Sequence, residues 1–322
     1  MTTQNLPQTL ATNPAFTRVF QANKLTLGVI APFNGYATPF PDLSQQEKLL
    51  QILDQSPVAA IWVRDVPFYD PNFGDVGQGT DPYVTLGWYS ALTKNLTLGS
   101  AGIITTLRNP IHTAKSTASL DLLSHGRFVL GMASGDRPKE YAAFGNKFTN
   151  RGQRYRESWN IIRRLFSEEF PQFTSENYGK FSGDLDFYPK PKHHIPMLTI
   201  GQSRQDVAWI AQNADAWITH GIINDPAKIQ ENISTLAASA PDKWTPFGVA
   251  AFLDLDQDDD APLLMERVFM KGGSKAIVKA LKQLEALGVN HVTFNLKSSL
   301  SMDQEQTLQL FLEKIAVHFP HH

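Results

Sequence analysis

The 322-residue chain contains no cysteine. That excludes disulfides, thiolate nucleophiles, iron–sulfur ligation and cysteine-type zinc sites. A reducing compartment fits this composition. Excess charge is missing as well, with 29 Lys+Arg against 31 Asp+Glu and a net of −2. Such a balance gives no reason to expect capture by nucleic acid or by an anionic membrane. No apolar run reaches the roughly 18 residues of a bilayer crossing; the stretch 58–63 stops at Arg64. Residues 1–24 lack both a basic start and an apolar stretch, so no signal peptide is expected and the reading is a cytoplasmic protein. Motifs are missing too. In GMASGD, residues 131–136, the serine falls one place late for the G-x-S-x-G elbow, and there is no Walker A, no G-x-G-x-x-G after a strand and no H-E-x-x-H. No metal site is expected. His193 and His194 are adjacent and point to opposite sides of an extended chain, and the aspartates 256, 258, 259 and 260 lack EF-hand spacing and read as a solvated turn.

What is present is alternation. At 42% hydrophobic and 19% charged, the chain can bury a large core. Short β-branched runs at 25–31, 59–64, 96–104, 128–133, 197–200, 216–219, 247–253 and 291–296 each precede an amphipathic stretch. The corresponding helices are expected at 44–55, 82–93, 111–123, 151–166, 204–213, 226–238, 274–287 and 303–317. Eight strand–helix pairs predict an α/β fold, a (β/α)8 TIM barrel of residues 25–322 behind an N-terminal extension 1–24. His321 and His322 read as a free tail. The connections 66–81, 169–194 and 254–273 are longer than a barrel needs, and in this fold such loops at the C-terminal face build the site. The last of them is the expected lid.

Two segments have the form of phosphate cradles. In LTIGQSRQDVAW a strand ends at Ile200, Gly201 and Gln202 turn, and Ser203 precedes a helix, either as its N-cap or beneath an anion held by the helix N-terminus. The rival is KGGSKA, residues 271–276. In the third strand Gly99, Ser100, Ala101 and Gly102 are small for a central strand. Either a flat ligand lies close to that backbone, or side chains from across the barrel fill the space.

Residues 96–145 resemble the bacterial-luciferase-like flavin monooxygenase family. The resemblance rests on Arg108-Asn109-Pro110 after the third strand and on AKSTASLDLLSHGRFVLGMASGDRPKEYAAFG. In that run Asp121, Leu123, Ser124, Gly126, Arg127, Gly131, Gly135, Glu140, Phe144 and Gly145 fall at family spacing. Arg151, Glu157 and the stretch from Pro196 to Asp215 extend it over nearly the whole chain. The resemblance implies a barrel binding reduced flavin, usually FMN from a separate reductase, or in one branch a deazaflavin. It places Ser134 and Ser203 at the flavin phosphate, flanked by Gly201, Gln202 and Arg204. It sets Ala101-Gly102 where luciferases have a non-prolyl cis peptide under the ring. Ala133 stands where luciferase has a reactive cysteine, and Arg64-Asp65-Val66-Pro67 where many relatives carry a catalytic histidine, so light emission is not expected.

The resulting expectation is a two-component monooxygenase using reduced FMN, oxygen and a small organic substrate, with a flavin reductase as transient partner. Its alternatives are a deazaflavin-dependent dehydrogenase or reductase, and a non-catalytic flavin-binding protein. His220, closing the sixth strand, is the candidate proton carrier. Asp65 could orient substrate or pair with Arg64 or Arg108, and Arg108 could bind an anionic group or a surface carboxylate. Asn34 and Asn295, ending the first and eighth strands, are placed to bond flavin or substrate. The helix 82–93 carries Tyr83, Leu86, Trp88, Tyr89 and Leu92, more apolar surface than one buried stripe needs, which predicts a two-fold homodimer.

Overall fold

A computed structural model describes residues 6–33, 40, 42–73, 79–297 and 302–321. Strands β1 (Thr26–Ala31), β2 (Ala60–Val63), β3 (Thr97–Ser100), β4 (Ile103–Ile104) and β5 (Phe128–Ala133) come first. A hairpin of β6 (Gln172–Ser175) and β7 (Gly179–Ser182) follows, then β8 (Met197–Ile200), β9 (Ala216–His220) and β10 (Phe247–Leu255). The series ends with β11 (Leu264–Glu266), β12 (Phe269–Gly272) and β13 (His291–Lys297). The helices are α1 (Gln8–Ala11), α2 (Pro14–Val19), α3 (Gln46–Asp54), α4 (Pro82–Leu92), α5 (Pro110–Leu123) and α6 (Pro138–Ala143). After them come α7 (Arg151–Ser167), α8 (Val207–Asn213), α9 (Pro226–Ser239), α10 (Ser274–Ala286) and α11 (Gln304–Lys314). Parallel pairing runs β1–β2–β3–β5–β8–β9–β10–β13 and returns to β1, which closes the eight-stranded barrel. Among the described residues no helix is long and apolar enough to cross a membrane.

Along each strand, side chains alternate between the barrel interior and the helix layer. Trp62, fully buried, fills the interior, and two glycines make room for it. A Cβ on Gly99 would lie 2.2 Å from the indole, and one on Gly28 would lie 2.6 Å from both Trp62 Nε1 and His291 Nε2. The expectation that small residues of the third strand await a flat ligand is therefore corrected at Gly99. Trp62, arriving from the neighbouring strand, occupies that space.

Residues 6–24 form the floor of the barrel. Asn13 caps α2 by accepting from Phe16 N–H at 2.9 Å, and Phe16 and Phe20 insert beneath the strands beside Trp62. Thr97 Oγ1 donates to Ala15 O at 3.1 Å and Arg18 Nε to Ala59 O at 3.2 Å, tying the floor to β3 and to the start of β2. Above it, Trp62 Nε1–H donates to His291 Nε2 at 3.0 Å, while His291 Nδ1 meets Thr26 Oγ1 at 2.8 Å. Thr26 Oγ1 in turn donates to Val19 O at 2.5 Å.

The long connections are built structure. In 169–194, β6 and β7 pair antiparallel with Phe173 and Phe181 stacked at 4.2 Å. In 254–273, β12 adds to β10 in parallel and β11 folds back on β12. Ser274 Oγ and Lys314 Nζ bind Asp259 at 2.6 and 2.9 Å. This corrects the expected lid: the segment extends the sheet and is pinned to two helices.

Candidate active site

The C-terminal ends of the strands carry the polar groups. Asp65, just past β2 and buried, accepts from Arg108 Nε and Nη2 at 2.8 Å each, and from Ile104 N–H at 2.9 Å. Arg108 Nη2 also reaches Asp81 at 2.9 Å, and the other oxygen of Asp81 caps α4 through Tyr83 and Val84 N–H. Burial opposes the Arg108 charge, but the two carboxylates outweigh it and hold the guanidinium above the ordinary arginine range. Of the alternatives left by the sequence, the pairing of Asp65 with Arg108 is the one formed. Their polar atoms brace β2, β4 and α4 against one another.

Past β8 the backbone takes a left-handed course, with φ +62° at Gly201, +49° at Ser203 and +60° at Arg204. Each non-glycine residue in that region costs roughly 1–2 kcal/mol, and such strain gathers at ligand clamps. The expected helix 204–213 therefore begins only at Val207, with Asp206 as its cap, accepting from Trp209 N–H at 2.6 Å. Ser203 is not the N-cap. Its hydroxyl donates to Ile200 O at 2.9 Å and accepts from Ser134 N–H at 3.2 Å, which joins the ends of β5 and β8. Gln202 and Arg204 project outward, exposed.

Beside this turn lies an open recess of about 530 Å³, lined by Thr149, Asn150, Gly152, Gln153, Arg156, Arg204 and Gln205. Arg156 Nε bonds Gln205 Oε1. Arg151 lies over the Phe148 ring at 3.5 Å, and burial, then the like charge of Arg204, depress its basicity. Glu157, the nearest acid along α7, is turned onto Ser175 and Asn177, and Asp136 is the carboxylate whose charge Arg151 feels. Asn150 Oδ1 is buried with no partner among the described residues. Cations gathered this way, at the start of a helix whose dipole disfavours them, could hold an anion. Arg156, Asn150 and Gln205 escaped the sequence reading. The signal was there in three arginines, 151, 154 and 156, crowding the first turns of one helix.

The rival cradle at 271–276 is closed. A Cβ on Gly273 would lie 2.3 Å from Asp258 O, and Asp259 already takes the Ser274 hydroxyl. At the third strand, Ala101 and Gly102 interrupt the ladder between β3 and β4, Gly102 at φ +99°. The cis bonds among the described residues are Ala31–Pro32 and Tyr188–Pro189, so the expected cis peptide at Ala101–Gly102 is corrected. The irregularity there is instead a positive φ that glycine adopts without steric cost. A Cβ there would lie 2.9 Å from Ala133 Cβ and 3.3 Å from Ile200 Cγ2, leaving a small-residue floor at the mouth.

His220 ends β9, exposed, next to Gly201. Asn34 lies outside the described residues. Asn295 ends the inward face of β13, buried, beside a cavity of about 200 Å³ that also touches Ala31, Val63, Thr85, Trp88 and Tyr89. On α6, burial pushes the Glu140 carboxyl up to about 7 against the opposing pull of Arg137, with Asp136 and Asp65 adding to the rise. Its oxygens have no hydrogen-bond partner among the described residues, and Arg137 Nη1 is 3.8 Å away. His193 and His194 go separate ways, to Asp121 and to Asp215.

Comparison with known proteins agrees on the family. Residues 25–291 match the family described as luciferase-like monooxygenase. An uncharacterized protein of Mycobacterium tuberculosis is 33% identical over 215 residues, covering 59% of this chain and 76% of that one. The F420-dependent glucose-6-phosphate dehydrogenase of Kineococcus radiotolerans is 30% identical over 163 residues, 49% of this chain and 47% of that protein. Among solved structures, monooxygenase RslO1 from Streptomyces bottropensis superposes with a TM-score of 0.73 at 17% identity, covering 91% of this chain and 99% of the other, which supports the barrel fold.

Proposed function

Because the chain belongs to the luciferase-like monooxygenase family, we propose that it is a two-component monooxygenase, taking reduced FMN from a separate flavin reductase and acting with oxygen on a small organic substrate. The observation that carries this reading is the arginine-lined recess beside the left-handed turn at 201–204. Guanidinium groups bind phosphate through paired, charge-assisted hydrogen bonds, and the turn at 201–204 lies beside them. Arg204 and Arg156 would hold the phosphate, with the Ser203 hydroxyl turning to it from Ile200 O beside Ser134, and the ring over Ala101, Gly102 and Ala133. Reduced flavin would supply the electrons that activate oxygen.

The chain's own part is to bind, orient and keep the mouth dry. The apolar floor of Ala133, Ile200 and Ala101 offers no hydrogen bonds to water. Two groups could move a proton. His220 stands at the rim beside the turn, and Glu140 holds its carboxyl proton near neutral pH. A second reading, a deazaflavin-dependent dehydrogenase, draws on the same recess, since Arg156 and Arg204 line it, Arg151 lies nearby and a deazaflavin carries an acidic tail.

Equilibrium titration with FMN and with the deazaflavin cofactor tests the choice. FMN should bind more tightly, and a deazaflavin affinity higher by tenfold or more would transfer the proposal to the second reading. Arg204→Glu should weaken FMN by about 2 kcal/mol, roughly 30-fold, because it reverses a charge at the phosphate. Riboflavin should be nearly indifferent to that change.

Two copies of the chain complete the proposal. On α4, Leu86 and Tyr89 face inward and the Tyr83 hydroxyl is 2.9 Å from Thr117 Oγ1, so the apolar excess lies in Val84 and Trp88, with Ile111 on the neighbouring α5. A two-fold dimer through these helices would cover that face. Sedimentation at micromolar concentration should give twice the chain mass, and a monomer would remove the dimer from the account.

A further inference from the structure

The recess and the cavity sit at opposite rims of the barrel. The recess adjoins β8, whereas the cavity lies at the ends of β1, β2 and β13, which are neighbours in the closed sheet. A cofactor held by its phosphate at the first would extend across the mouth toward the second. This inference rests on the cofactor reading above.

The walls of the cavity are apolar, and their hydroxyls are already used. Thr85 Oγ1 donates to Asp81 O at 2.9 Å, and Tyr89 OH donates to Gln46 Oε1 at 3.2 Å. Arg64, half-buried at the edge, already has a partner. Asn295 differs from these: it is 3% exposed, and its side-chain amide makes no hydrogen bond among the described residues, so that amide is the polar group left for an occupant. A buried amide without a partner costs on the order of 1–3 kcal/mol. It is tolerated where a ligand completes it. At about 200 Å³ the cavity falls below the range of roughly 300–1,000 Å³ that serves drug-sized ligands.

We propose that this cavity is the substrate pocket, and that it takes a small, uncharged, mainly hydrocarbon molecule carrying one hydrogen-bonding group, which Asn295 orients. A charged substrate is disfavoured because desolvating it there would find only Arg64, at the edge and already engaged by a partner.

Binding of three probes to the full chain, followed by saturation-transfer NMR, tests this without flavin. Cyclohexanone should bind saturably and at least about tenfold more tightly than cyclohexanecarboxylate. Asn295→Leu should cost cyclohexanone up to about tenfold, the scale of one hydrogen bond, and leave cyclohexane unchanged within about twofold. Val66→Phe, which fills the cavity from its loop edge, should weaken both neutral probes. Equal binding of the carboxylate, or indifference of cyclohexanone to both substitutions, would overturn the assignment. FMN titration of the same proteins separates the two claims. Normal FMN binding with unresponsive probes defeats the pocket alone, and failure of FMN to bind the unmodified chain defeats the cofactor reading alone.

Discussion

Asp65→Ala is expected to destabilise the protein by about 3 kcal/mol, at the lower end of the cost of breaking a buried ion pair. The carboxylate is 3% exposed as a side chain, and its loss strands Ile104 N–H as well as two donors of Arg108. The lower end applies because Arg108 is 29% exposed and keeps Asp81. Asp65→Asn, retaining an acceptor for Ile104, should fall between the two. Removing both partners with Asp65→Ala and Arg108→Met should recover part of the loss, since no buried charge then lacks a partner. Urea unfolding of the four proteins gives the comparison. A cost for Asp65→Ala below about 1 kcal/mol would show that the pair does not brace the mouth.

The second large effect concerns acid. Burial alone pushes His291 down to about 3, and the Trp62 donor requires its Nε2 to be unprotonated. In the unfolded chain this imidazole protonates near 6.5. Below that pH the unfolded state gains a proton that the folded state refuses, so the stability held above 6.5 is lost at roughly 1.4 kcal/mol per pH unit until the pH nears 3. Glu140, raised to about 7, works the other way between pH 7 and its unfolded value near 4.5, because there the folded state takes the proton first. The Asp215 carboxylate raises His194 in spite of its burial, so that contribution is fully present below 6.5 and is lost only at higher pH. The wild-type curve therefore mixes opposing slopes. Its difference from His291→Gln isolates one of them. Stability of the unmodified protein minus that of the variant should fall by about 2 kcal/mol between pH 6.5 and 5. A flat difference would mean that the buried ring is not the neutral acceptor described.

The periodicity of the chain made the barrel legible. The strands Phe128–Ala133 and Met197–Ile200 have the expected bounds, and the others shift at their ends or, as at Ala101–Gly102, break where a glycine takes positive φ. Local rules reached Ser203 and Gly201 as a turn but misplaced the helix after it. Serine and aspartate are both good caps, and only the φ angles of residues 203 and 204 decide for Asp206. Three other features depend on contacts across the chain. Gly99 is small because of Trp62, Asp65 is paired by a residue 43 positions away, and the recess combines the first turns of α7 with a turn some 50 residues on. No spacing within a single segment carries that information. The arginines of α7 came closest, because they oppose the helix dipole and so ask for an external anion.

In the proposed function the turn at 201–204 and the adjoining arginines hold a flavin phosphate. The most direct test measures FMN against riboflavin on the unmodified protein, on Ser203→Ala and on Arg204→Glu. The phosphate should add at least about tenfold to affinity in the unmodified protein, lose roughly 1–2 kcal/mol of that advantage in Ser203→Ala, and lose nearly all of it in Arg204→Glu. Equal affinities for FMN and riboflavin in all three proteins would contradict it.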